Sequence, residues 1–149
     1  MAEQPRNLAN PVAAQKLIQV AHIAYLQNPG NCSGAVRYVI TQLVDPKFPS
    51  LLANGMMSYF ANRTNGWKQV AGYIEASNLA NQGKVVVAGL VELGKHGHVL
   101  IVLPGSWKHS GGYIAHGKML PQGALYPPSM STAWTTRATA LARCRQRWR

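Results

Sequence analysis

Acidic side chains are what this sequence has least of: Glu3, Asp45, Glu75 and Glu92 are the only four carboxylates in 149 residues. A glycosidase needs two carboxylates flanking the bond it cuts, and calcium or magnesium sites draw on several oxygen ligands, so four scattered acids fit neither chemistry. Cysteine is almost as scarce. Cys32 and Cys144 are too few for a disulfide framework, and a single domain of this length needs none, since it buries roughly 70% of its unfolded surface. Long apolar runs are missing as well. The stretch from Val85 to Leu93 is too short to cross a bilayer and is interrupted by Gly89. The opening Met-Ala-Glu-Gln-Pro-Arg-Asn has neither the charged nor the apolar segment of a signal peptide, so Sec-type export is not expected.

What is abundant is positive charge. Fifteen lysines and arginines give a formal net charge of +11. That balance implies an anionic partner or surface, and nucleic acid, lipid headgroups and cell-wall polymers all satisfy it. Much of the excess lies in Arg137, Arg143, Arg145, Arg147 and Arg149, which reads as a solvated terminus. A basic nucleic-acid-binding module is therefore one alternative, but few basic residues fall on any expected helix or strand face and no nucleic-acid motif is present.

Hydrophobic spacing predicts helices first. Ala14, Leu17, Ile18, Ala21 and Tyr25 recur at helical intervals between Pro11 and Leu26, with Asn10 as cap and Pro11 at the first helical position. Asn28-Pro29-Gly30 breaks that helix. Val36, Val39, Ile40 and Leu43 then mark a second one starting at or beside Cys32 and ended by Asp45-Pro46. Ser50 is the expected cap of a third, through Leu52, Met56 and Phe60, and a turn follows over Asn62 to Gly66. A fourth covers Tyr73 to Ala80. Strands come next, at Lys84–Leu90 and Val99–Leu103, with a further one at Tyr113–His116, and Ala138 to Arg147 is composed of good helix formers. Helices followed by strands, with no repeat or linker, predict one α+β domain over residues 1–149.

Thiol and imidazole are the chemistry left. In Asn31-Cys32-Ser33-Gly34 a thiol in the first turn of a helix faces unpaired backbone N–H groups and the positive end of the helix dipole, both of which attract negative charge. The same N–H groups suit an oxyanion, and Gly34 leaves room for a substrate backbone. A lone cysteine is otherwise a small buried apolar group. His98, in His96-Gly97-His98, runs directly into Val99-Leu100-Ile101-Val102-Leu103, where a strand would hold it rigidly as base for the thiolate. His116 is the candidate third group that orients the second ring nitrogen of His98, with a surface histidine as the plain alternative. His22 and His109 read as helix-surface and loop residues. A zinc-dependent hydrolase is the remaining alternative, because His96 and His98 could join His116 or Cys32 around a metal.

Cysteine on an early helix followed by histidine on a later strand is the papain-type order. Asn31-Cys32-Ser33-Gly34, Leu79-Ala80-Asn81-Gln82-Gly83 leading into Val85-Val86-Val87-Ala88-Gly89-Leu90, and Gly97-His98-Val99 together resemble the type VI secretion amidase effectors. The resemblance covers about Pro11 to Gly117. It implies a papain-like, NlpC-type fold, with N-terminal helices packed on a small antiparallel β-sheet, and cofactor-free cleavage of the peptide stem of bacterial peptidoglycan by Cys32 and His98. The bond implied lies between D-glutamate and the diamino acid. It also implies secretion without a signal peptide by the type VI secretion machinery, action in the periplasm of a target bacterium, and a periplasmic immunity protein as partner, with no role for nucleic acid or a membrane span. Some members tie the N-terminal helix to the C-terminus by a disulfide, and Cys144 has no cysteine before Cys32 to meet.

Overall fold

The computed structural model describes residues 10–92, 94, 96–109, 114–115, 118–119, 125–132 and 143–147. They form an α+β arrangement of four helices and an antiparallel sheet. Helix α1 spans Pro11–Gln27, and Asn10 caps it by accepting the Ala13 N–H at 3.2 Å. Helix α2 spans Cys32–Leu43, α3 spans Ala53–Ala61 and α4 spans Tyr73–Asn81. All four lie where periodicity puts them. The start of α3 differs in detail: Leu52 holds the N-cap position without a side-chain bond, and Ser50 is two residues too early to cap it. At α4 the first-turn Glu75 carboxylate accepts the Ala71 N–H, which secures the entry that Gly72 leaves uncapped.

Five strands build the main sheet, in the order β1-β9-β2-β3-β8: β1 Trp67–Val70, β9 Arg143–Arg147, β2 Val86–Leu90, β3 His98–Val102 and β8 Ser129–Met130. Four two-residue strands complete the series. Lys108–His109 (β4) pairs with Leu125–Tyr126 (β7), and Ile114–Ala115 (β5) with Lys118–Met119 (β6). His109 thus lies on a short strand, where sequence suggested a loop.

The arginine-rich end corrects the reading of the sequence most. Arg143–Arg147 is neither helix nor frayed tail; it is a strand between β1 and β2, with Cys144 in register with Val70 on one side and Ala88 on the other. Local propensity favours helix for such residues, but pairing on two edges gives Cys144–Gln146 neighbours on both sides, and sheet pairing routinely overrides propensity.

Strand alternation divides the core into two. On one face Val87, Val99, Ile101, Met130 and Trp67 pack against α1, α2 and α3. On the other, Val70, Val86, Ala88, Leu100 and Val102 pack against Ala76, Leu79 and Ala80 of α4. The first layer is thick and aromatic: Phe48 contacts Tyr59, Phe60 and Trp67, with the Phe60 and Trp67 ring centroids 4.3 Å apart. The second is thin. Gly89 belongs to the first face, where a Cβ would sit 2.5 Å from the Met57 sulfur, so glycine leaves space for the Met57 side chain of α3 against the sheet.

Candidate active site

Two asparagines set the start of α2. The Asn28 amide donates to the Ala24 carbonyl at the end of α1, and the Asn28 carbonyl accepts from the Asn31 N–H, which closes the turn between the helices. Asn31 then folds its side chain over the first turn of α2. Its Oδ1 accepts the Gly34 N–H at 2.8 Å and the Ser33 hydroxyl at 3.2 Å. This is side-chain N-capping, and it leaves the N–H groups of Cys32 and Ser33 without an acceptor among the described residues. Cys32 is half-buried, with its inner side against the first core layer. Gly34 has a packing role as well. A Cβ there would fall 2.5 Å from Asn31 Nδ2 and 2.8 Å from Asn28 Oδ1, so glycine makes room for the two asparagine side chains.

His98 opens β3, directly after Gly97, whose φ of +64° lets the chain turn sharply into the strand. Its Nε2 is 2.8 Å from the Ser131 hydroxyl. The antiparallel register pairs Ile101 with Met130, so one step further on Ser131 falls beside Leu100, diagonally across from His98. Such diagonal neighbours on one face of a sheet are within side-chain reach. Ser131 is thus a partner of the His98 ring, the kind of role for which sequence nominated His116. His116 itself lies outside the described residues.

A chain of neighbours links the Cys32 end of α2 to the His98 end of β3. Ser50, Leu51 and Leu52 line one recess with the first turns of α2. Two residues on, Asn54 clasps the backbone of Glu92, donating to its carbonyl at 3.0 Å and accepting its N–H at 3.1 Å. Glu92 follows the last residue of β2, Leu90, which is in register with His98. Strand period adds a constraint. His98 takes the parity of Leu100 and Val102, on the α4 side, whereas Cys32 packs on the α1–α3 side. A contact between thiol and imidazole would therefore have to run round the end of the sheet.

His96 is exposed, and so is His22 on α1. Among the described residues no three His, Cys, Asp or Glu side chains converge as a metal-binding group, and no helix is long and apolar enough to cross a membrane. Ser131 is the His98 partner that sequence reasoning missed. Nothing local marks it; only the pairing of β3 with β8, which brings it to His98 across 33 positions of chain, identifies it. The sequence matches no known protein-family profile and no characterised protein.

Proposed function

We propose that this chain is a papain-like, NlpC-type cysteine hydrolase in which Cys32 is the nucleophile, His98 the base and Ser131 the group that orients His98. The single observation that carries the reading is the His98 Nε2 to Ser131 Oγ hydrogen bond, which fixes the imidazole at the start of β3. A ring fixed at Nε2 uses Nδ1 to take the thiol proton. The thiolate attacks an amide carbonyl carbon, and the oxygen that becomes negative is received by the Cys32 and Ser33 N–H groups that Asn31 leaves available. Collapse breaks the C–N bond, and the imidazolium gives its proton to the departing amine. A water, deprotonated by His98, then attacks the thioester to release the acid and restore the thiol.

The substrate we propose is the peptide stem of bacterial peptidoglycan, cut between D-glutamate and the diamino acid, with the chain acting as a type VI secretion amidase effector restrained by a periplasmic immunity protein. This part rests on the motif resemblance and on the net charge of +11, which suits an anionic wall polymer. The test is mass spectrometry of purified muropeptides after incubation with the wild type, Cys32→Ala or His98→Ala. The wild type should release fragments ending at D-glutamate and both variants none, while His96→Ala should cleave normally. Cleavage by Cys32→Ala at the wild-type rate rules out thiol catalysis.

A further inference from the structure

Beside the first turns of α2 lies a recess of about 300 Å³, walled by Leu51 and Leu52 and lined by Asn31, Ser33, Arg37 and Ser50. Arg37 is the unusual member. Its side chain is half-buried, its Nε is shielded from solvent, and that nitrogen has no hydrogen-bond acceptor among the described residues. A shielded guanidinium nitrogen without a partner is unfavourable, since protein interiors pair nearly all such donors. No carboxylate of the chain answers it in the described structure: Asp45 accepts from the Lys47 N–H, Glu75 from the Ala71 N–H, and Glu92 is held through its backbone by Asn54. Ser50 adds a hydroxyl donor on the facing wall, and Ser33, one turn before Arg37, sets the recess next to Cys32 in the chain.

We infer that this recess is a carboxylate-binding subsite in which Arg37, with Ser50, holds a free carboxylate of the peptide whose amide lies at Cys32. The planar guanidinium supplies parallel N–H donors matched to the two oxygens of a carboxylate, and Leu51 and Leu52 add apolar surface beside the pair. The inference rests on the hydrolase reading for its placement beside the nucleophile. It goes further in stating what the substrate must carry: an acidic group next to the bond, not only an amide.

The test uses the full chain carrying Cys32→Ala, so that binding is read without turnover. A soluble stem tetrapeptide and the same peptide with its glutamate α-carboxylate amidated are titrated calorimetrically. The acid should bind at least tenfold more tightly than the amide. Adding Arg37→Gln should erase that difference by weakening the acid alone, and Arg37→Lys should restore only part of it. Equal binding of acid and amide to the parent overturns the subsite, and so does an Arg37→Gln loss that is the same for both peptides. The comparison of the two peptides on the parent needs no Arg37 variant, so a folding defect in Arg37→Gln leaves the test intact. A wild type that hydrolyses neither peptide, alongside an Arg37-dependent preference for the acid, removes the hydrolase and keeps the subsite. Hydrolysis of both peptides at equal kcat/KM does the reverse.

Discussion

The two faces of the sheet are built on different scales. Among the described residues the α1–α3 face carries three helices and a cluster of Phe48, Tyr59, Phe60 and Trp67, whereas the α4 face carries one nine-residue helix presenting Ala76, Leu79 and Ala80. A buried hydrogen bond from Trp107 Nε1 to the Ser77 hydroxyl, 2.9 Å, pins the connection after β3 over the thin face. The proposed nucleophile belongs to the thick layer and the proposed base to the parity of the thin one. Among the described residues the larger apolar cluster lies on one side of the sheet, while the chemistry we propose needs both sides to stay in register at one end.

Phe60→Ala should be the most damaging core change. It removes a fully buried ring at the centre of the aromatic cluster and should lower unfolding free energy by about 3–5 kcal/mol, read by chemical denaturation. A loss below about 1 kcal/mol would contradict the division of the core. Ser131→Ala is the middle case. It leaves the thick layer untouched and removes only the hydroxyl beside His98, so stability should hold while kcat falls by roughly ten- to a hundredfold with KM nearly constant. A parallel loss of stability and activity would make Ser131 a structural residue. Asn31→Ala is the smallest: removing the cap from α2 should cost about 1 kcal/mol, seen as a shift of a few degrees in Tm. No shift in Tm would mean that the cap contributes nothing.

The same contrast explains what sequence could tell. The start of α1 and the α1–α2 connection are legible because their information is local: Asn10-Pro11, Asn28 and Asn31 each act within four residues of themselves. Cys32 at a helix start and His98 at a strand start follow from that kind of signal, and the structure places both there. Strand β1 was not legible, since Trp67–Val70 is four residues long and its partner lies at the other end of the chain. For the same reason Arg143–Arg147 looks helical in isolation and Ser131 looks like loop. Their roles depend on pairing across the sheet, which no local pattern encodes. Gly34 shows the limit at close range: the sequence marks the position as special, but only the asparagine side chains around it say why.

The central claim is that the imidazole on β3 activates the thiol at the start of α2, although the two belong to opposite faces of the sheet. Alkylation tests it without assuming a substrate. The rate at which iodoacetamide modifies Cys32 at neutral pH is followed by peptide mass spectrometry in the wild type and in His98→Ala, with folding of both checked by circular dichroism. The account predicts rapid modification of Cys32 in the wild type and a fall of tenfold or more in His98→Ala. Equal rates in the two proteins would contradict it, because they would mean that His98 does not reach Cys32 round the end of the sheet.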